Sequence, residues 1–297
     1  MSGRATPSVL DRHVHLRDPR CPAYPWLDEA PDLNWSFTAD QFAAIRPTPI
    51  EMIFMEADRE NGQATDEIEW VLSQAEHHTR IRSAVAHVPL ERPPEALETI
   101  RRYAADPFVV GVRRNIQDEA PGFTEDSHIR EDIQPIARPA SPSTHALANT
   151  SCPSWRSWPS PARTPRSSST TSASRSRPPG ASGRRHGDGL RNNRTSSASS
   201  PAWPPTWHAP DTPSAFALPL LREALDVCGP DRCLFGCDWP VMLLATDYRA
   251  WLDLVREALG LSSWTANDAV LRGNAERIYR LVPSRFQAAD LARKEAR

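Results

Sequence analysis

The chain has 297 residues, which suits one α/β barrel or two small domains, because barrels commonly form single domains of roughly 250 residues. A formal net charge of -2 gives no whole-chain field to recruit nucleic acid or an anionic membrane, so any such binding must be local and neither partner is expected. Neither a membrane-length apolar run nor a hydrophobic signal core is present in the sequence, which predicts a cytoplasmic protein.

The first part of the chain alternates short apolar runs with amphipathic stretches. Buried strands are predicted within residues 50–58 and 81–90, and the apolar spacing of Ile68, Val71, Leu72 and Ala75 predicts a helix between them. The segment PPEALETIRRYAAD predicts another helix and FVVGVRRNI another strand. Strand, helix, strand, helix is the pattern of a parallel sheet.

The pattern resumes near the C-terminus. FALPLLREALDVCG predicts a helix ended by Gly229, RCLFGCDWP a strand, and DYRAWLDLVREALG and TANDAVLRGNAERIYRL two further helices. The five cysteines show no CxxC pair or zinc-finger spacing, so reduced and mostly buried thiols are expected.

Between these parts the composition changes abruptly. Residues 138–207 contain 17 Ser, 11 Pro, 10 Arg and 7 Thr, with two Leu and no Val, Ile, Phe, Met or Tyr. Such a segment buries too little apolar area to offset its ordering entropy, so it should not fold. Three regions follow: 1–137 as the N-terminal part of a barrel, 138–207 as the anomalous segment, and 208–297 as the C-terminal part and tail.

Two histidines mark the end of the first apolar run. His13 and His15 lie two residues apart in LDRHVHLRDP, so in an extended strand both imidazoles project to one face. They suit metal ligands or donors to a substrate oxygen, although two surface histidines would give the same spacing.

Asp238 ends another apolar strand, in CLFGCDWP. An acid there is costly unless paired, and barrel active sites lie at the carboxyl ends of strands. Asp238 therefore suits a general base that takes a proton from water, with a helix-capping role as the alternative.

Arg113 and Arg114 follow the FVVGV strand and could hold a substrate carboxylate or a cluster of hydroxyls. A salt bridge to Asp118 or Glu119 is the alternative. Glu56 and Asp58 end the second strand and could line the same mouth, as structural or catalytic groups.

Four segments together resemble the amidohydrolase-related family that contains sugar-acid lactonases and 2-pyrone-4,6-dicarboxylate lactonase. They are DRHVHLRDPRCPAYPWL, GVRRNIQDE, GPDRCLFGCDWPV and GNAERIYRL, in that order. The resemblance implies an α/β fold of the (β/α)8 TIM-barrel type, as in metal-dependent hydrolases, and hydrolysis of a lactone. It implies His13 and His15 as first-strand site residues and Asp238 as the last-strand base. All three would be ligands if the protein uses one divalent metal, Zn or Mn. Members of the family differ in whether they require a metal.

The family's further histidine patterns, Arg-x-His-Gln-Leu-Pro and Asp-His-Leu-Gly-Lys-Pro, are missing from this sequence and would fall inside 138–207. A one-base shift makes SSSTTSASR (167–175) compatible with the second pattern, and residues 139–154 and 196–206 with two other family segments. We therefore expect that this segment is translated out of frame, which removes strands 5–7 and leaves the chain weakly active or inactive. A genuine Arg/Ser-rich linker is the alternative.

Two other functions remain open from the sequence. One is a metal-dependent decarboxylase on the same scaffold. The other is an inactive protein whose Arg/Ser-rich segment binds RNA electrostatically.

Overall fold

The protein is described by a computed structural model, which covers residues 9–20, 22–46, 50–78, 80–115, 213–260 and 267–281. All of these belong to one compact unit. The segment 138–207, with its predicted frame change, lies outside the described residues, as do Cys21, Cys152 and the tail after 281.

Four parallel strands form a sheet in sequential order, β1 Leu10–Val14, β2 Glu51–Met55, β3 Ile81–His87 and β4 Val109–Arg113. Each connection that links one strand to the next carries a helix, as parallel pairing requires. These helices are α1 Ala39–Ile45, α2 Ala64–His77 and α3 Pro93–Ala104. The alternating pattern predicted from the first part of the sequence is confirmed.

The C-terminal part contributes three further helices. They are α4 Pro213–Cys228, α5 Tyr248–Leu259 and α6 Asn274–Ile278, the last preceded by a π-helical turn, Ala269–Gly273. Gly229 follows α4 with a φ of 78°, a conformation that glycine adopts without steric cost and that ends the helix as predicted.

The segment 233–239 lies along the free side of β1. Arg12 N–H donates to Phe235 O (3.2 Å), Asp238 N–H to His13 O (2.9 Å) and His15 N–H to Trp239 O (2.7 Å). Val14 and Trp239 form a parallel bridge. The first strand therefore lies between the second strand and the C-terminal segment, which is the neighbour relationship of the first and last strands in a closed barrel.

The sequence predicts a regular strand for this segment, whereas the structure has an extended stretch joined to β1 by an isolated bridge. Two local features interrupt the ladder. Cys237 N–H donates to the Asp11 side chain (3.3 Å), and Asp238 has a φ of 59°.

The main core lies between the sheet and the helices. Val14, Phe54 and Ala84 of the strands pack there with Val71 of α2 and Trp251 of α5. Cys228, Cys233 and Cys237 form no disulfide with one another; Cys233 and Cys237 are buried and Cys228 is partly buried. Within the described ranges, no helix is both long and apolar enough to cross a bilayer.

Candidate active site

A bulge in β1 sets the directions of its polar side chains. The register between β1 and β2 shifts between Asp11 and Val14, so the strict alternation of side chains is broken there. His13 lies in the bulged part of β1 and His15 directly follows the strand, and both are at least nine-tenths buried. The sequence prediction that both lie at the carboxyl end of the first strand is confirmed.

Close contact with the C-terminal segment depends on Gly236. A Cβ atom on this residue would lie 2.8 Å from the Cβ of His13, closer than side chains tolerate. Glycine therefore allows residues 233–239 to approach β1 closely enough to bring Asp238 to the histidines.

Asp238 adopts the left-handed backbone conformation, which aspartate accepts more readily than most residues. A cis Trp239–Pro240 peptide and a short 3-10 helix, Val241–Leu244, follow it. The helix has Pro240 at its N-cap and no side-chain capping bond. The Asp238 carboxylate instead faces the histidines, which argues against the capping alternative.

His13, His15 and Asp238 form one cluster. Asp238 Oδ1 lies 3.0 Å from His15 Nε2 and 3.7 Å from His13 Nε2. The two imidazole rings stack edge to face with centroids 4.9 Å apart. One possible ligand atom from each residue lies within 4.8 Å of the others, so the three side chains could hold one metal ion.

The end of β2 fixes the orientation of the His15 ring. His15 Nδ1 lies 2.9 Å from the carbonyl oxygen of Met55 and 3.0 Å from that of Glu56. Carbonyl oxygens only accept hydrogen bonds, so Nδ1 carries a proton and Nε2 is directed at the cluster. Zinc-binding histidines commonly have this arrangement, with the outer nitrogen donating to a carbonyl or carboxylate.

His13 is held in its neutral form. Burial, followed by electrostatic interactions with His15, Arg12 and Arg113, lowers the pKa of His13 well below its usual value. Metal ions bind the neutral imidazole, so this electrostatic environment keeps His13 ready to act as a ligand at neutral pH. Two imidazole nitrogens and a carboxylate are a donor set that zinc accepts, and they leave a coordination position open for water.

The two predicted substrate-binding arginines take different partners. Arg113 Nη1 donates to the backbone carbonyl of Glu56 (3.0 Å) and lies 3.2 Å from its Oε1. Arg114 Nε donates to Glu91 Oε2 at 2.8 Å. The alternative partners from the sequence, Asp118 and Glu119, lie outside the described residues.

Glu56 is the centre of a buried ionic group behind the cluster. Its carboxylate is fully buried and also contacts Arg59 at 3.2 Å and His87 at 3.9 Å. Burial alone would raise the pKa of Glu56, but electrostatic interactions with Arg113, His87 and Arg59 lower it below the usual value. Asp58 lies nearby with its pKa raised by burial and by Glu56. Glu56 is therefore paired with cations and directs only its backbone carbonyl to His15.

Sequence reasoning did not identify Asp11, Tyr248 and Arg17 as parts of the site. Asp11 accepts hydrogen bonds from both chain segments that carry the cluster, and Tyr248 from α5 donates to it. Arg17 is buried between the rings of Trp26 and Phe37 and interacts electrostatically with Asp238. An acid inside an apolar strand, two residues before the first histidine, was the available signal for Asp11; Arg17 and Tyr248 have no comparable local signal.

Parallel strands separated by helices, with two histidines and an aspartate meeting at their carboxyl ends, define an α/β-barrel class of enzyme. Within that class the chain belongs to the amidohydrolase family, which it matches over residues 10–132 and 180–281. The family resemblance and the fold class expected from the sequence are confirmed, and the family supports a hydrolase that acts on small molecules.

Three similar proteins illustrate this relationship. L-fucono-1,5-lactonase from Burkholderia multivorans is 45% identical over 62 residues, which are 20% of this chain and 21% of that protein. The match thus spans about a fifth of the relative's length. A zinc-bound amidohydrolase structure from Burkholderia multivorans has a TM-score of 0.57 at 19% identity, covering 93% of this chain and 100% of that chain.

The third is the structure of a probable 2-pyrone-4,6-dicarboxylic acid hydrolase from Acinetobacter baumannii, with citric acid bound. It has a TM-score of 0.55 at 10% identity, and the alignment covers 92% of this chain and 100% of that chain. At such identities the two solved structures show the shared fold.

Proposed function

We propose that this gene's in-frame product is a lactonase that opens a sugar-acid or dicarboxylate lactone with water activated by Asp238. The observation that carries the proposal is the meeting of His13, His15 and Asp238 at the carboxyl ends of the first strand and of the last segment. The short match to L-fucono-1,5-lactonase supports a lactone as the substrate class. The cytoplasm is the proposed location, on the sequence alone.

The metal in this proposal is one divalent ion, Zn or Mn, held by His13, His15 and Asp238. When bound, such an ion lowers the pKa of water and polarises a carbonyl group. The proposal draws support from the neutral state of His13 and from the His15 Nδ1 proton, which leaves Nε2 as the inward nitrogen.

In the proposed reaction Asp238 accepts a proton from the attacking water as the new bond forms between its oxygen and the lactone carbonyl carbon. The resulting oxyanion would be stabilised by cationic donors around the site. The ring C–O bond then breaks, and the proton on Asp238 passes to the leaving alkoxide oxygen. The product is a hydroxy acid, with one water consumed for each lactone opened.

Arg113 or Arg114 is proposed to hold an acidic or polyhydroxylated part of the substrate. Arg113 lies closer to the chemistry, because its charge acts on His13 and its guanidinium contacts Glu56, whose carbonyl orients His15. A guanidinium fixed in this way can offer its remaining donors to a carboxylate without first losing side-chain entropy.

The chain as written is proposed to be weakly active or inactive, because translation out of frame over 138–207 would remove strands 5–7 with their histidines. The family match leaves out residues 133–179, where the Asp-His-Leu-Gly-Lys-Pro pattern is expected, which supports a change of frame there; it includes residues 180–207, so it gives no such support for that part of the segment.

The decisive experiment is to sequence the gene across the codons for residues 130–215 and to express both the written and the frame-restored chains. We expect the restored chain to hydrolyse sugar-acid lactones at least about 100-fold faster than the written one, in line with the loss of oriented site groups. Release of CO2 from aromatic acids without lactone hydrolysis would support the decarboxylase instead. Salt-sensitive RNA binding by a confirmed written frame would support the linker function.

A further inference from the structure

We infer that Asp11 is a positioning residue, whose carboxylate sets the spacing between the two histidines of β1 and Asp238 of the C-terminal segment. This inference rests on the proposed function in one respect, that the cluster of His13, His15 and Asp238 is a metal site. Asp11 itself would not touch the metal or the substrate.

The contacts of Asp11 join three parts of the fold. Its Oδ1 accepts hydrogen bonds from the backbone N–H of His13 at 3.0 Å and of Cys237 at 3.3 Å. Its Oδ2 accepts from the hydroxyl of Tyr248 in α5 at 2.9 Å. The residue is completely buried, so these protein donors replace the hydration that its carboxylate loses on folding.

The two backbone N–H groups that Asp11 binds belong to the candidate site, so Asp11 affects the site as well as the fold. One is the N–H of His13 itself, and the other belongs to Cys237, which directly precedes Asp238. A single oxygen atom thus fixes the backbone at one ligand and next to another. Any shift of the carboxylate changes the separation of His13 and Asp238, whose nearest nitrogen and oxygen are 3.7 Å apart.

Cys237 also fixes the backbone of the residue that follows Asp238. Its Sγ accepts the backbone N–H of Trp239 at 3.3 Å, while Asp238 N–H donates to His13 O at 2.9 Å. Residues 237–239 are therefore each bonded in a way that keeps Asp238 in its left-handed conformation. With Tyr248 anchoring the other oxygen, the carboxylate of Asp11 is the point at which α5, β1 and this turn meet.

The experiment compares Asp11→Ala and Asp11→Asn in the full chain, with Tyr248→Phe as the matched control. Asn keeps an oxygen for both backbone N–H groups, and its amide can donate to the Tyr248 oxygen. Tyr248→Phe removes the hydroxyl contact and leaves both backbone contacts. Co2+ is titrated into each protein, with affinity and visible absorption recorded beside the thermal midpoint.

We expect Asp11→Ala to weaken Co2+ binding about 10-fold to 100-fold and to change the absorption spectrum, as loss of an outer contact typically does. Asp11→Asn and Tyr248→Phe should stay within about 3-fold of the unmodified chain on the same reasoning. A lowered thermal midpoint in Asp11→Ala with unchanged affinity and spectrum would overturn the inference, because Asp11 would then serve the fold alone. If Asp11→Ala does not fold, Asp11→Ser replaces it in the experiment. The serine hydroxyl is too short to accept from the N–H groups of both His13 and Cys237.

A separate measurement distinguishes this inference from the proposed metal site. If the unmodified chain binds no Co2+, the metal part of the proposed function fails, and the imidazole 15N shifts of His13 and His15 become the test. Single His→Gln variants assign the two rings. Shifts that move in Asp11→Ala but not in Asp11→Asn support positioning, and shifts that move in neither overturn it.

Discussion

Asp238 Oδ1 and His15 Nε2 lie 3.0 Å apart, although the two residues belong to the C-terminal and N-terminal parts of the chain. On its other side the same imidazole lies 2.9 Å from the Met55 carbonyl oxygen at the end of β2. Three neighbouring segments of the sheet are thereby joined through one histidine ring. Polar groups that meet in this way at strand ends are typical of barrel active sites.

Replacing Asp238 with Asn should remove the only anionic group of the His13, His15 and Asp238 cluster. Loss of a ligand is expected to lower Zn2+ affinity by more than about 100-fold, which exceeds the range typical of changes outside the ligand set; isothermal titration calorimetry measures this affinity. Asp231→Asn is a matched control, because Asp231 is exposed and lies on the 3-10 turn before the same segment. Equal Zn2+ affinities for the two variants would argue against a metal site here.

The two neighbouring arginines should differ in their effect on stability. Arg113→Met leaves the fully buried Glu56 without one of its cations, so we expect a loss of about 2–4 kcal/mol in the free energy of unfolding. Arg114→Met should lose about 1 kcal/mol or less, because its partner Glu91 is 29% exposed. Urea denaturation of both variants measures the difference, and a larger loss for Arg114→Met would contradict this assignment of partners.

Sequence periodicity was sufficient for the four strands and for α2 to α5, because burial on one side of each element leaves a regular apolar pattern. It did not predict α1, and it predicted a regular strand where residues 233–239 form only an isolated bridge. His13, His15 and Asp238 were identifiable since each ends an apolar run, where the carboxyl ends of parallel strands converge. Their mutual distances depend on the bulge of β1 and on the absence of a Cβ at Gly236. The bulge has no signal in a single sequence, and Gly236 is visible as a glycine without indicating that it lies against His13.

The buried polar groups around the site were harder to predict. Arg113 and Arg114 are adjacent and chemically identical, so only the direction of each side chain decides which of them contacts Glu56. Glu67 lies on α2 directly before the apolar residue Ile68 and would ordinarily face water. It is buried because Tyr24, from the loop after β1, packs over it and donates a hydrogen bond at 3.2 Å.

Glu67→Gln should make the protein more stable at alkaline pH. Burial, and then the charge of Glu56, raises the pKa of Glu67 from 4.5 to about 8. The folded state therefore keeps a proton that the unfolded chain releases, and stability falls as pH rises from about 4.5 to about 8. Glutamine carries no such proton and can still accept from Tyr24 O–H and Ala57 N–H.

The measurement for Glu67→Gln is the free energy of unfolding at pH 5 and at pH 8. Its advantage over the unmodified chain should be larger at pH 8 than at pH 5. Glu69→Gln on the same helix is the matched control for removing a carboxyl group, since Glu69 is exposed. An advantage of Glu67→Gln that is constant between the two pH values would show that Glu67 is already ionised in the fold.

Glu51 should contribute more to stability than an exposed glutamate of the same charge. Its Oε2 lies 2.9 Å from Arg82 Nη1 and 2.5 Å from Arg272 Nη2, so it joins β2, β3 and the π-helical turn before α6. The three side chains are 7% to 19% exposed, which limits solvent screening of their charges. Glu51→Gln removes the negative charge that both guanidinium groups contact and should lower the free energy of unfolding by about 1–3 kcal/mol.

Glu95→Gln is the matched control, because the Glu95 and Arg92 side chains are 56% and 58% exposed. For this exposed pair we expect the free energy of unfolding to fall by about 0.5 kcal/mol or less. Thermal unfolding of both variants provides the comparison, and equal midpoints would mean that water already screens the Glu51 group as fully as the surface pair.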